Sequence, residues 1–336
     1  FVELNAQKLP NFWTETSLKN VDLKNAIDYS ADIRNFSTFQ LDEAALINAV
    51  DQVPKRFSGI NSTIQLKLPD GNGSYIDFKI YKSNLLPESW KSKYPNLRSY
   101  YGISAHSSLR LTVSPTGIYG MIQQRKSQII INPLTDDSYM IFEKKNASID
   151  GTDFMTCELK TQLPDDFSIE NLIQDDQSKI VDDGFLRSYD LAVATTGEYA
   201  QFHINEANAQ NASFDQQIQV VLSAIAVTIG RVNSIYERDF AITLELIDNN
   251  DDIIYLDDLN DPYSNNSAGS LISENQTNIN NVIGSTNYDI GHVFSTGGGG
   301  LAGLGVVCTN SKASGVTGLS SPVGDPFDID YVAHEI

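Results

Sequence analysis

The sequence predicts an α+β protein in two parts, an antiparallel β-rich first half and an α/β second half. Three observations predict it. Short apolar alternations separated by turn residues fill residues 64 to 142, an acidic stretch without an apolar face follows at 158–187, and strand and helix patterns alternate from Tyr189 onward. A length of 336 residues also suggests about two domains, each able to bury a core of its own.

The first 55 residues are polar and irregular apart from one amphipathic helix, Leu41 to Val50. Ile64, Leu66 and Leu68 then alternate with polar residues, Asp70-Gly71-Asn72-Gly73 supplies turn chemistry, and Ile76, Phe78 and Ile80 resume the alternation, which predicts a β-hairpin. Further strands are expected at Leu109 to Val113, Ile118 to Ile122, Gln128 to Ile131 and Tyr139 to Phe142. Ser114-Pro115-Thr116-Gly117 and Asn132-Pro133 punctuate them. The stretch 158–187, with Asp165-Asp166, Asp175-Asp176 and Asp182-Asp183-Gly184, reads as a linker. Tyr189 to Ala194 is a predicted strand, and Thr195-Thr196-Gly197-Glu198 opens a helix. The strongest helix runs from Phe214 to Glu237, with Ile218, Val221, Leu222, Ile225, Ile229, Val232 and Tyr236 at helical spacing. A strand Phe240 to Ile247, a helix near Ser273 to Val282 and a strand Asp289 to Phe294 complete the α/β pattern.

Composition narrows the function. Lys+Arg total 23 against 43 Asp+Glu, a formal charge of -20, so a phosphate backbone or an anionic membrane surface would be repelled over most of the protein. Nucleic acid is excluded as an expected partner, and no run of roughly 18 apolar residues predicts a membrane span. The opening FVELNAQKLP lacks a basic-then-apolar leader, which fits a sequence whose export signal is already removed. Abundant Asn, Asp, Ser and Tyr lean toward a secreted or extracellular protein. Cys157 and Cys308 are too few for a disulfide scaffold and have no C-x-x-C spacing.

Gly298, Gly300 and Gly303 form a G-x-G-x-x-G pattern after a predicted strand. A dinucleotide site there needs a helix N-terminus to meet the pyrophosphate, yet Leu304 to Cys308 looks extended, so a turn entering an edge strand is the better reading. There is no P-loop and no G-x-S-x-G. His106, His203 and His292 have no second His at ligand spacing and read as structural. His334-Glu335 differs. It follows Tyr331-Val332-Ala333 on a segment that Asp328 or Asp330 could cap, and it matches the first half of H-E-x-x-H, in which ligands four apart share a helix face and Glu acts as general base. The second His would fall at position 338.

The order of segments from Tyr189 onward resembles the metzincin metallopeptidases, and most closely the reprolysin (adamalysin) branch of secreted bacterial proteins. The matching segments are YDLAVATTGEY, the helix ending in VNSIYERDFAITLEL, GGLAGLGVVC, GVTG and the final YVAHEI. The resemblance implies a zinc endopeptidase in which residues 188–336 form the upper catalytic subdomain, a twisted mixed sheet with packed helices, cut off at the zinc helix. It makes His334 the first Zn²⁺ ligand and Glu335 the general base, the other ligands lying beyond residue 336. Leu301, Ala302, Gly303, Leu304 and Gly305 become the cleft edge strand that binds an extended polypeptide substrate through its backbone. Cys308 matches a cysteine paired in such enzymes with one after the metal helix.

Residues 1–157 then become a β-rich pro-domain that keeps the enzyme latent. Cys157 is a candidate inhibitory zinc ligand, with a buried free thiol or a disulfide to Cys308 as alternatives. Processing is expected after Arg187, or else Lys179. The resulting expectation is a zymogen fragment of a secreted zinc endopeptidase, inactive as written. The alternative is a secreted, non-catalytic two-domain binding module. The acidic loop Asp248 to Asp252 lacks a spaced calcium pattern and reads as solvated, so calcium is possible without support.

Overall fold

The computed structural model describes residues 7–23, 27, 29, 32–148, 184–297 and 299–336. In the first half, the strands are β1 (Gln7–Lys8), β2 (Trp13–Thr16), β3 (Asp32–Ile33), β4 (Ser37–Leu41), β5 (Ile64–Pro69), β6 (Tyr75–Lys82), β7 (Arg98–Ile103), β8 (Ser107–Ser114), β9 (Gly117–Gln124), β10 (Gln128–Pro133), β11 (Ser138–Glu143) and β12 (Ala147–Ser148). Two helices interrupt them, α1 (Glu43–Val50) and α2 (Trp90–Lys93).

Ten of these strands form one sheet in the order β1-β5-β6-β7-β8-β9-β10-β11-β4-β2, antiparallel except for the β1–β5 pair. The predicted hairpin forms between β5 and β6. The Asp70 carboxylate accepts from Asn72 N and Ser74 N at 2.8 and 3.0 Å, while Gly71 and Gly73 take positive φ. Trp13, Phe39 and Tyr139 from one end of the sheet share a core with Leu66 and Leu68 near the other, so the sheet curls around a single apolar centre that also buries Leu46 and Val50 of α1. The amphipathic helix is confirmed, starting at Glu43 because the Asp42 side chain accepts from Ala45 N.

The second half contains β13 (Arg187–Thr195), α3 (Gly197–Glu206), α4 (Phe214–Asp239), β14 (Ile242–Leu246), α5 (Ala268–Val282), β15 (Ile290–Ser295), β16 (Gly299–Ala302) and β17 (Gly315–Gly318). A π-helix, Pro326–Val332, runs into a last helical turn, Ala333–Glu335; together they are α6. The sheet order is β14-β13-β15-β17-β16, parallel except that β16 runs antiparallel to β17. Its two faces alternate as strand periodicity requires: Leu191, Val193, Leu244 and Phe294 pack with α4, and Ala192, Ala194, Val293 and Val316 with α5.

A full capping box between Ser213 and Gln216 starts α4. By length and apolar content α4 could cross a membrane, contrary to the expectation from apolar runs, but 83% of its apolar window is buried inside the protein. It is buried nearly all round because the α/β sheet and the β half both pack on it. Leu85, Trp90, Tyr94 and Leu97 of the first half belong to the same core as Ile218, Val221 and Ile225 of α4. The two halves therefore share a core at their junction in addition to the one that each closes alone.

Two findings concern the linker and the ends of elements. Arg187 is the first residue of β13, paired with Ile242 and donating its backbone N–H to Ala241 O at 2.9 Å. A cut after Arg187 would fall inside a hydrogen-bonded strand, which a protease reads only after peeling it from the ladder. Lys179 and Cys157 lie outside the described residues, as does most of 158–187. The segment Leu304 to Cys308 is a series of turns, with Cys308 at φ 59°, instead of an extended run.

Candidate active site

The site forms where the edge strand β16 meets the end of α6. β16 is the last strand of its sheet, hydrogen-bonded to β17 on one side through the pairs Gly299–Gly318 and Ala302–Gly315. Among the described residues its other side has no strand partner, the arrangement that accepts an extended peptide by strand addition. The strand holds Leu301 and Ala302 of the predicted substrate edge. Gly303 extends the ladder by donating to Ser314 O at 2.8 Å, whereas Leu304 and Gly305 lie in the following turn. The edge is therefore shifted toward Gly299 from its expected span, because the turn at 304–305 ends the pairing. No helix begins there, which removes the dinucleotide reading.

The glycines of this edge have steric reasons. A Cβ on Gly300 would stand 2.4 Å from Glu335 Oε1 and 2.6 Å from its Cδ, so the carboxylate rests directly against the strand backbone. Gly318 is equally tight, its Cβ position lying 1.9 Å from Gly297 O. Gly300→Val is expected to push the Glu335 carboxylate off the strand and to slow any peptide hydrolysis that depends on it about 10²-fold, the effect of a roughly 1 Å misplacement. A steady-state peptide assay showing unchanged kcat would refute this placement.

Pro326 at the start of α6 suits a helix entry, where its missing N–H costs nothing. Phe327 is fully buried, with ring centroids 5.4 Å from Phe294 and 6.1 Å from Tyr199. The last turn is held by Tyr236, whose hydroxyl donates to Ala333 O at 3.0 Å. This anchoring leaves His334 exposed and Glu335 buried at 5% exposure. Glu335 Oε1 has no hydrogen-bond partner. Burial pushes the Glu335 carboxyl above its ordinary value, and the neighbouring His334 opposes this. A buried carboxylate with an unpartnered oxygen beside an exposed imidazole has the chemistry to accept a proton.

The capping role expected for Asp328 or Asp330 is not found. Asp328 lies within the π-helix, buried, and bonds Arg231 at 2.6 Å and the Thr228 hydroxyl at 2.5 Å. Arg231 in turn donates to Asn132 Oδ1 of β10 at 2.6 Å. Asp330 pairs with Lys144 at 2.9 Å. The helix is thus positioned from its side by ion pairs. The signal was a single Arg in the apolar run of α4, a charge that such a helix tolerates only with a buried partner.

His203 and His292 are structural, as expected. Burial pushes both down to about 3, so they are neutral. His203 packs on Tyr199 with centroids 4.5 Å apart, and His292 Nε2 lies 2.8 Å from Thr317 Oγ1. A cavity of about 80 Å³ between α4 and the β half is lined by His203, Tyr119 and Arg231, away from the edge strand and α6's final turn. His106 occupies a loop before β8. Among the described residues no group of three or more His, Cys, Asp and Glu side chains forms a metal-binding set. Cys308 is exposed, its Sγ 3.7 Å from Asp289 Oδ1. The loop Asp248 to Asp252 is not simply solvated: Asp248 accepts from Ser89 Oγ at 2.7 Å, and Asp251 from the Tyr94 hydroxyl at 2.8 Å and from Lys93.

The edge strand thus runs past a buried glutamate at the end of a His-Glu helix. Residues 222–336 match the reprolysin-like metallo-peptidases, family M12B, a zinc-dependent family. The matched stretch includes most of α4, the edge strand and the His-Glu turn, so this part of the chain is similar to a reprolysin-type metalloprotease domain. No curated protein matches the chain.

Proposed function

We propose that the chain is the pro-segment and upper catalytic subdomain of a secreted zinc endopeptidase of the metzincin type. The observation that carries this reading is the Glu335 carboxylate, buried against Gly300 of an edge strand with its Oε1 unpartnered among the described residues, and His334 exposed beside it. These two residues fit a zinc centre. The exposed imidazole supplies one nitrogen ligand, and the unpartnered carboxylate oxygen supplies the neighbouring base. Zinc, when bound, lowers the pKa of water and polarises the peptide carbonyl.

Within that arrangement β16 orients the peptide by backbone hydrogen bonds, which leaves side-chain selection to other residues. Glu335 takes a proton from the attacking water and passes it to the leaving amine. A continued H-E-x-x-H pattern would place the next ligand at position 338. Residues 1–336 alone supply one imidazole and are expected not to cut. Residues 1–157 act as the latency segment, with Cys157 as the candidate thiolate ligand that displaces water from the metal. The match to a peptidase family does not favour the alternative of a silent binding module. Zinc content of the full-length protein, with and without His334, tests the reading.

A further inference from the structure

The two halves differ sharply in charge. Residues 1–157 carry 17 Lys+Arg and 16 Asp+Glu, whereas residues 188–336 carry 3 and 19. Their contacts follow that difference, since the cations come from the β half and the carboxylates from the α/β half. Arg56 and Arg110 meet Glu237 of α4 at 2.8 and 2.6 Å, and Lys93 meets Asp251. Lys144 reaches Asp325 and Asp330, at the start and middle of α6, at 3.1 and 2.9 Å. Apolar contacts reinforce them. Trp90 and Tyr94 belong to the core of α4, and the Trp90 indole donates to Asp248 O at 2.8 Å. Leu85 O accepts from Leu246 N at 2.9 Å, covering the outer edge of β14.

We infer that the β half stays bound to the α/β half after the chain is cut between residues 149 and 183, as a non-covalent subunit that holds α6 in position. Separation would expose the shared core, uncover the β14 edge and leave Glu237 and Asp251 without their cations. It would also free a strongly acidic domain to repel itself. The grip on α4 and α6 therefore persists after the cut. The inference rests on reading residues 1–157 as a processed pro-segment, but its test involves no catalysis, so its failure leaves the peptidase reading to be judged separately.

The experiment places a site for a sequence-specific protease between residues 158 and 183 of the full-length protein, cuts to completion and follows both pieces by size-exclusion chromatography. In physiological salt at sub-micromolar concentration they are expected to co-elute, separating only in denaturant. Arg110→Ala combined with Lys144→Ala in the cut protein is expected to speed release of the β half at least about tenfold, since each change leaves an interfacial charge unpaired. Two separate peaks from the cut parent protein in physiological salt would overturn the inference. An unchanged release rate in the double variant would overturn the role given to the cations.

Discussion

Glu335→Gln in the full-length enzyme is expected to lower kcat for peptide hydrolysis by about 10²–10⁴-fold, the range for loss of a general base. The substitution preserves shape and leaves His334 in place, so metal content should not change. What disappears is the ability to accept a proton from water and return it to the leaving amine. Glu335 is the carboxylate lying against Gly300, and the nearby Asp328 and Asp330 are committed to Arg231 and Lys144. Activity reduced by less than about tenfold with zinc retained would show that the base lies elsewhere.

Arg231→Met is expected to cost about 3–5 kcal/mol of stability, because it strands the Asp328 carboxylate in the interior. Both side chains of the pair are only 3% exposed. The guanidinium joins three elements, bonding Asp328 of α6 and Asn132 of β10 from its place on α4. Lys93→Ala provides the contrast: the Lys93 side chain is 51% exposed, and its pair with Asp251 should contribute no more than about 1 kcal/mol. Denaturant midpoints of the two variants measure the difference. Removing both charges, as Arg231→Met with Asp328→Leu, should recover much of the loss, since an apolar pair of similar volume carries no stranded charge. A single-variant loss near that of Lys93→Ala would refute the buried latch.

Local signals in the sequence were sufficient for the elements that they govern. Turn chemistry at Asp70 to Gly73 placed the β5–β6 hairpin, and the apolar periodicity from Ile218 to Tyr236 placed α4. β1, β2, β3 and β4 were missed because they are short and pair over long sequence distances, as Thr38 of β4 does with Met140 of β11. β7 carries Tyr100, Tyr101 and Gly102 without clear alternation, and its partners on both sides define it. α2 is a single turn fixed by the burial of Trp90. At the site, His334 and Glu335 were readable as a motif. Gly300 was not, since its contribution is the space that a missing Cβ leaves for a carboxylate 35 positions later. The Arg231–Asp328 pair joins residues 97 positions apart, beyond any local pattern.

Zinc content is the most direct measure of the central claim. The full-length natural protein, purified without added chelator and analysed by elemental mass spectrometry, is expected to hold about one zinc per chain, and His334→Ala to lose it while Glu335→Gln keeps it. A folded full-length protein without stoichiometric zinc, or a His334→Ala variant that retains it, would contradict the account.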